Sequence, residues 1–344
     1  MSKPQVICLT PVLNEAWILE RFLKCASLWA DHIIIADQHS TDESREIALQ
    51  FPKVKLVENS AQKFNEPDRQ QMLLMEARRI PGPKILMALD ADEIFTANCL
   101  TSPEWQTILN SPPGTVIRFQ WPEIVSNASG LCSFNFPWDP PIGFVDDGSP
   151  HQGNAIHSIR VPMPAGANVL FPNQIKLMHY CLFDRERFKS RIRWYQCWEF
   201  LNSGKRPVAL YRFYHKDLFV SPNVIQPVPE DWIREYQQRG IDMTSLHRDG
   251  CYRWDREILE LFDKFGPAKF RRLAIWDAEW ERLQKEIRPD SGRPAHADPR
   301  SKMDKFVHGW LEQTQPGLAH YTTPGFAHRT GIRLMQRALK CLGW

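Results

Sequence analysis

The chain reads as an α/β protein: a mixed, mostly parallel sheet flanked by helices, with a mostly helical C-terminal extension. Four short apolar runs in the first 95 residues carry almost no internal polar residue, as strands covered on both faces do. Segments of helical period separate them. After about Pro103 this alternation fades, and helical patterns dominate the last third.

Val6 to Thr10 is the first strand. Glu15 to Ala30 follows as a helix, with Ile18, Leu19, Phe22, Leu23 and Ala26 on one face. His32 to Ala36 is the second strand, and Asp42 to Gln50 a short helix entered through Ser40 and Thr41, which offer N-caps. Val54 to Val57 is the third strand. Pro67 to Arg79 is a helix with proline in its first turn. Ile85 to Leu89 is the fourth strand. Residues 103–175 are rich in Pro, Gly, Trp and Asn, with short strand-like pieces such as Val116 to Trp121. Residues 185–200 read as a basic, aromatic helix. A break falls near Pro222 to Pro229, helices return at Asp231 to Arg239 and Asp255 to Glu286, and Pro289 to Pro299 reads as a linker.

At 344 residues the chain holds one large domain or two ordinary ones. A net charge of +3 gives no reason to expect nucleic acid. The eight cysteines are scattered without a Cys-x-x-Cys pair, so neither a disulfide framework nor a zinc site is expected, and the compartment should be a reducing cytosol. The N-terminus runs straight into a strand, so no signal peptide is expected. No apolar run reaches the roughly 20 residues of a membrane span.

The densest chemistry is Asp90-Ala91-Asp92-Glu93, directly after the fourth strand. Two carboxylates two residues apart project into one loop and repel, so a positive charge should lie between them. Hard oxygen ligands suit magnesium or manganese. A bare Asp-x-Asp is also common in solvated loops, but the end of a strand is where open α/β sheets bind ligands. Asn14 and Asp37 read by themselves as caps of a helix entry and a turn.

Three motifs in order, Thr10-Pro11-Val12-Leu13-Asn14-Glu15, Ile35-Ala36-Asp37-Gln38-His39-Ser40-Thr41-Asp42 and Asp90-Ala91-Asp92, resemble the PVYNE loop, the DDGSTD turn and the DxD element of family 2 glycosyltransferases, which have the Rossmann-like GT-A fold. The resemblance covers about residues 4–96. It implies a nucleotide-sugar donor, UDP-linked by preference, held by Pro11, Val12, Asn14, Glu15, Asp37, Arg69, Asp90 and Ala91. It implies a divalent cation, manganese or magnesium, on Asp90 and Asp92, with His179 completing the set. The implied reaction moves one sugar to a hydroxyl acceptor with inversion, using a carboxylate base, for which Asp146 and Asp147 are the first choice and Glu123 and Asp139 weaker ones. Gln38 departs from the pattern, which has a second acid there. Arg193-Trp194 resembles the QxxRW element of processive synthases, but Ser190 replaces the Gln and the membrane spans of those enzymes are missing.

The expected layout is a GT-A domain over 1–220, its nucleotide half 1–100 and acceptor half 101–220, then a helical extension over 221–344 with a linker near 289–300. In Gly331 to Trp344, Ile332, Met335, Leu339 and Leu342 share one helical face and Arg333, Arg337 and Lys340 lie largely elsewhere. Such a helix packs on its own domain or lies on an anionic membrane. The expected location is therefore cytoplasmic, with peripheral contact at the inner membrane face as an option, and the acceptor a glycan or lipid-linked molecule, as in cell-surface glycan or lipopolysaccharide synthesis. Two other functions fit the motifs less fully: a haloacid-dehalogenase-like phosphatase, with Asp146 and Asp147 as its second acidic pair, and a GT-A scaffold that binds sugar without turnover.

Overall fold

The computed structural model describes residues 3–60, 65–128, 130–135, 138–154, 156–246, 251–289, 296–316 and 326–344. The elements run β1 (Gln5–Val12), α1 (Ala16–Trp29), β2 (His32–Asp37), α2 (Ser44–Leu49), β3 (Val54–Glu58), α3 (Glu66–Arg78) and β4 (Lys84–Ala88). Next come β5 (Glu93–Phe95), α4 (Pro103–Leu109), β6 (Val116–Arg118), β7 (Pro122–Asn127), β8 (Gly130–Asn135), β9 (Pro141–Val145), β10 (Val169–Leu170) and β11 (Leu177–His179). The rest is α5 (Arg185–Asn202), α6 (Pro207–Tyr214), β12 (Gln226–Pro227), α7 (Arg234–Gln238), α8 (Arg253–Phe265), α9 (Trp280–Ile287), α10 (Lys302–Thr314) and α11 (Phe326–Cys341).

Two compact units form. The sheet unit is residues 1–183 with 226–248, and the helical unit is 184–225 with 249–344. The expected boundary at 220 therefore falls inside the helical unit, which also takes α5 and α6. Residues 226–248 return to the sheet unit for physical reasons. There β12 pairs with β8, and the fully buried Tyr236 donates its hydroxyl hydrogen to the Phe95 carbonyl at 3.0 Å.

Seven strands of the sheet unit lie in the order β10-β6-β9-β4-β1-β2-β3. Strands β4, β1, β2 and β3 run parallel, and β9 is antiparallel to both β4 and β6. The mixed α/β fold, with a parallel-dominated sheet and a helical C-terminal part, is thus as expected. The apolar runs explain the centre: Ile7, Cys8, Leu9, Ile33, Ile34, Ile35, Leu86 and Met87 have no exposed surface. On α1, Ile18, Leu19, Phe22, Leu23 and Ala26 bury against the sheet, each large side chain contributing about 1.5–3 kcal/mol. A second sheet, β12-β8-β7-β11-β5, lies beyond β4 in sequence; in it β11 pairs antiparallel with β5 and parallel with β7.

The helix expected over Asp255 to Glu286 is instead α8 and α9, with a short 3-10 turn between them. The break is Gly266, which takes φ 76° after the last turn of α8, followed at once by Pro267. Half of the linker expected near 289–300, residues 290–295, lies outside the described residues. Leu339 of α11, and Trp344 beyond it, are buried in one cluster with Val208, Tyr211, Val307 and Leu311, and Met335 packs partly against it. Ile332 of α11 is buried as well. The face offered to a membrane by the sequence is thus largely spent inside the helical unit, while Leu334 and Leu342 stay exposed. Among the described residues no helix is long and apolar enough to cross a membrane.

Gly143 in β9 has no room for a side chain. A Cβ there would lie 2.9 Å from both Ile117 Cβ and Met87 Sδ, on the two neighbouring strands. Gly143→Ala should cost about 1–3 kcal/mol of stability by overpacking, read as a lowered midpoint in urea. An unchanged midpoint would show that the sheet gives way at no cost.

Candidate functional site

The carboxyl ends of β1, β2 and β4 converge because these strands are parallel and adjacent. The β1 and β2 ends are tied together by side chains. Asn14 adopts φ 56°, and its amide N–H donates to Ser40 Oγ at 3.0 Å while its Oδ1 accepts from the Thr41 amide at 2.7 Å. The Glu15 amide donates to Ser44 Oγ at 2.9 Å and the Ala16 amide to Asp42 Oδ2 at 3.0 Å. The backbone donors of Asn14, Glu15 and Ala16 are therefore satisfied by Ser40 and Asp42 of the second motif and by Ser44 just beyond it. They are not free to meet a ligand. Pro11 and Val12 are buried in β1, and the Val12 carbonyl accepts from the Gln38 amide at 2.9 Å. The Glu15 carboxylate accepts from Trp17 Nε1 at 2.7 Å. Asp37 is buried, with Oδ2 2.5 Å from Arg45 Nη1 and Oδ1 accepting from the Ser40 amide. Its carboxylate is engaged within the turn.

Asp90, Ala91, Asp92 and Glu93 turn from β4 into β5. The charge expected between acids here is supplied in part by the protein. Arg160, from the stretch between β9 and β10, pairs with Asp90 Oδ2 at 2.8 Å through Nη2 and with Glu93 through Nη1. Glu93 has no exposed surface. Burial raises its carboxyl above the ordinary range, and Arg160 opposes that shift. Arg69, in the first turn of α3, lies one helical turn from Glu66, whose Oε2 accepts from the Ser158 amide at 2.7 Å. Arg69 Nε has no hydrogen-bond partner among the described residues.

Asp92 faces a different group. Strand register places His179 of β11 opposite Glu93 of β5 on one side and opposite Glu123 of β7 on the other. Directly opposed residues share a face. His179 Nδ1 is 2.8 Å from Glu123 Oε1, so Nδ1 carries the hydrogen and Nε2 is directed elsewhere. Nε2 lies 3.8 Å from Asp92 Oδ1. Cys181 donates its thiol to Glu123 Oε2 at 3.2 Å, and Trp121 stacks on the His179 ring with centroids 4.2 Å apart. Burial alone would lower the His179 imidazole; Cys181, Glu123 and Asp92 outweigh it and hold it well above its ordinary value.

Two ligands each about 2.1 Å from one ion lie at most about 4.2 Å apart. The Asp92 and His179 atoms fit within that span, and a carboxylate behind Nδ1 is what orients a ligating histidine. One carboxylate and one imidazole suit manganese better than magnesium, which prefers oxygen throughout. Glu123, His179 and Cys181 also place ligand atoms within 4.8 Å of one another. A proton and a cation compete for the same Nε2.

Asp146 and Asp147 are elsewhere, and here the structure corrects the sequence. Strand β9 runs antiparallel to β4 with Ile85 opposite Val145, and the Asp146 amide donates to the Lys84 carbonyl at 3.0 Å. Both acids therefore sit at the start of β4. Asp90 lies six residues further on, about 20 Å away along the sheet. Asp146 is clamped by Arg78, with Nη2 at 2.8 Å from Oδ1. Asp147 accepts from the Ser149 amide at 2.9 Å. Neither shares a cleft with Asp92, so neither serves as base there. The start of β9 does lie beside the end of β4, which leaves Asp139 on the same edge as Asp90. Arg193 and Trp194 belong to α5 in the helical unit, where Arg193 pairs with Asp277 at 2.9 Å.

Sequence reasoning had no means of finding Arg160, which falls in no periodic segment. Glu123 did leave a signal: an acid beside Ile124 and Val125 in a strand pattern.

No family model matches the chain, and no curated protein matches it. Among solved structures it is similar to glucosyl-3-phosphoglycerate synthase from Mycobacterium tuberculosis, crystallised with Mn2+, UDP and glucosyl-3-phosphoglycerate: 17% identity and TM-score 0.25, over 34% of this chain and 44% of that one. The match thus spans less than half of that synthase. It is also similar to 4-diphosphocytidyl-2C-methyl-D-erythritol synthase (12% identity, TM-score 0.26, 42% of this chain and 76% of that one). A third likeness is HddC from Yersinia pseudotuberculosis (7% identity, TM-score 0.32, 54% and 97%). At TM-scores of this size these likenesses carry no argument about this chain.

Removing Arg160 leaves Glu93 buried without its cation. Arg160→Met should cost about 3–5 kcal/mol, measured by urea unfolding, and Arg160→Met/Glu93→Gln should recover most of it. A single variant as stable as the parent would show that the pair adds nothing.

Proposed function

We propose that this chain is a metal-dependent glycosyltransferase that moves a single sugar from a nucleotide-sugar donor, UDP-linked by preference, to a hydroxyl acceptor. The observation that carries the reading is the Asp92–His179 pair at the end of β4, with Nδ1 anchored by Glu123 and Nε2 directed toward a carboxylate. The resemblance of residues 4–96 to family 2 glycosyltransferases supports it.

Asp92 and His179 would hold the ion, manganese by preference. When bound there, a divalent ion supplies Lewis-acid stabilisation of charge on the leaving diphosphate. Glu123 fixes the ring and its tautomer, and Trp121 fixes its plane. Arg160 holds Asp90 at the strand tip. Arg69, in the first turn of α3, is the cation assigned to the phosphate, and its Nε has no hydrogen-bond partner among the described residues. Asp139 takes over from Asp146 and Asp147 as the candidate base, by its position two residues before β9, the end of that strand that lies toward the end of β4. Inversion then follows from a single displacement: the acceptor oxygen attacks the anomeric carbon as its bond to the diphosphate breaks and the diphosphate leaves, while the carboxylate takes the acceptor's proton.

The phosphatase alternative needs both acidic pairs at one end of the sheet, and register puts them at opposite ends. The non-catalytic scaffold keeps one observation in its favour: Arg160 already neutralises Asp90 and Glu93 without an ion.

Thermal shift against UDP-, GDP-, dTDP- and CMP-sugars, each with and without manganese, tests the reading. A ligand at a hundred times its dissociation constant adds about 2.7 kcal/mol. The expected result is stabilisation by a UDP-sugar that requires manganese and disappears in Asp92→Asn; shifts that persist in EDTA would refute it. With a donor in hand, Asp139→Asn should lower kcat by about a hundredfold or more with donor KM little changed. Unaltered kcat would remove Asp139 as base.

A further inference from the structure

The helical unit carries a cavity of about 480 Å³ that the proposed transfer reaction does not use. That volume is in the range of small-ligand sites. Its lining comes from α5, α6, α10 and the segments that follow α6 and precede α9 and α10, all within the helical unit.

One wall is a charge stripe. Arg185, Lys189 and Arg193 stand at i, i+4 and i+8 of α5, and so share a face. They grade from rim to floor: Arg185 exposed, Lys189 half-buried, Arg193 buried. At the floor, Arg193 is neutralised by Asp277 through two bonds of 2.9 and 3.0 Å, while the Asp277 side chain stays half exposed. At the rim the compensation is thin. Among the described residues Lys189 meets the exposed Glu186 alone, at 2.8 Å, and Arg185 reaches the Leu218 carbonyl at 3.3 Å with no carboxylate partner.

The floor also offers acceptors. His215 stacks on Tyr211 with ring centroids 4.1 Å apart, and its Nδ1 donates to the Tyr211 carbonyl at 3.3 Å. Its Nε2 is therefore a lone-pair acceptor, with no hydrogen bond among the described residues. Enclosure pushes the ring down to about 4, so it stays neutral at pH 7. Trp276 gives a rigid apolar wall, held by stacking on Phe262 at 5.3 Å and by Nε1 donating to the Phe270 carbonyl at 3.1 Å.

A cationic rim over a floor of matched donors and acceptors beside an indole has a definite complement. We propose that this cavity binds a small phosphorylated sugar, its phosphate on Arg185 and Lys189 and its hydroxyls on His215 and Asp277. Phosphate takes charge-assisted bonds from arginine and lysine. Hydroxyls both donate and accept, which suits the carboxylate, the imidazole and the guanidinium together. The site stands apart from the metal-dependent reaction and does not rest on it.

Calorimetric titration of the full chain in EDTA, with glucose 6-phosphate, glucose and inorganic phosphate as separate probes, tests this. Glucose 6-phosphate should bind more tightly than either fragment. Arg185→Ala/Lys189→Ala, two changes at the rim, should weaken it about tenfold or more. His215→Phe keeps a ring for the Tyr211 stack and should weaken glucose 6-phosphate about fivefold to tenfold without altering phosphate. Circular dichroism melts establish that each variant is folded. No binding of glucose 6-phosphate, binding indifferent to the rim pair, or equal affinity for bare phosphate would each overturn the proposal. Because no metal or nucleotide is present, the result is separate from the fate of the transferase reading.

Discussion

A row of ionisable side chains, Glu93, His179 and Glu123, crosses the second sheet at matched registers, and the end of β4 is built around the need to neutralise it. Three such groups in low dielectric are tolerable only with partners supplied from several directions. Arg160 comes from the loop between β9 and β10 to take Glu93. His179 takes Glu123 directly and Asp92 at longer range. The charge pattern of the site is thus a consequence of strand pairing. A one-residue slip between β5 and β11 would turn His179 to the other face and leave both glutamates without it.

The same reasoning separates what the sequence reveals from what it hides. Strands β1, β2 and β4 and helices α1 to α3 are legible because burial on both faces demands runs of Val, Ile, Leu and Met, and because a period of 3.6 marks the helix faces; β3, at the edge of the sheet, is half-exposed and legible only from Val54, Leu56 and Val57. Asp90 and Asp92 are legible because they follow such a run. The antiparallel insertion of β9 between β4 and β6 is not, since Pro141 to Val145 is five residues long and nothing local states its partner or direction. That one pairing displaces Asp146 and Asp147 to the far edge of the sheet. Adjacency to an apolar run is a sound guide to the end of a strand. It does not say which end faces the site.

Long-range partners are the other hidden class. Arg160 lies 67 residues from Glu93 and 70 from Asp90, in a segment without periodicity. The caps on Asn14, Glu15 and Ala16 come from side chains 26 to 29 residues away. Propensity cannot register contacts of this range; only the parallel pairing of β1 with β2 brings them together.

The division of the chain into units has a bearing on synthesis. The polypeptide passes from one unit to the other after residues 183, 225 and 248. The sheet unit therefore cannot be finished when its first 183 residues have left the ribosome: Tyr236 and β12 are still to come, behind α5 and α6. Those two helices emerge long before α8, α10 and α11, the elements that later share their unit. Each half waits on the other's translation, so a nascent chain halted near residue 220 holds two incomplete cores, each a natural client for a chaperone.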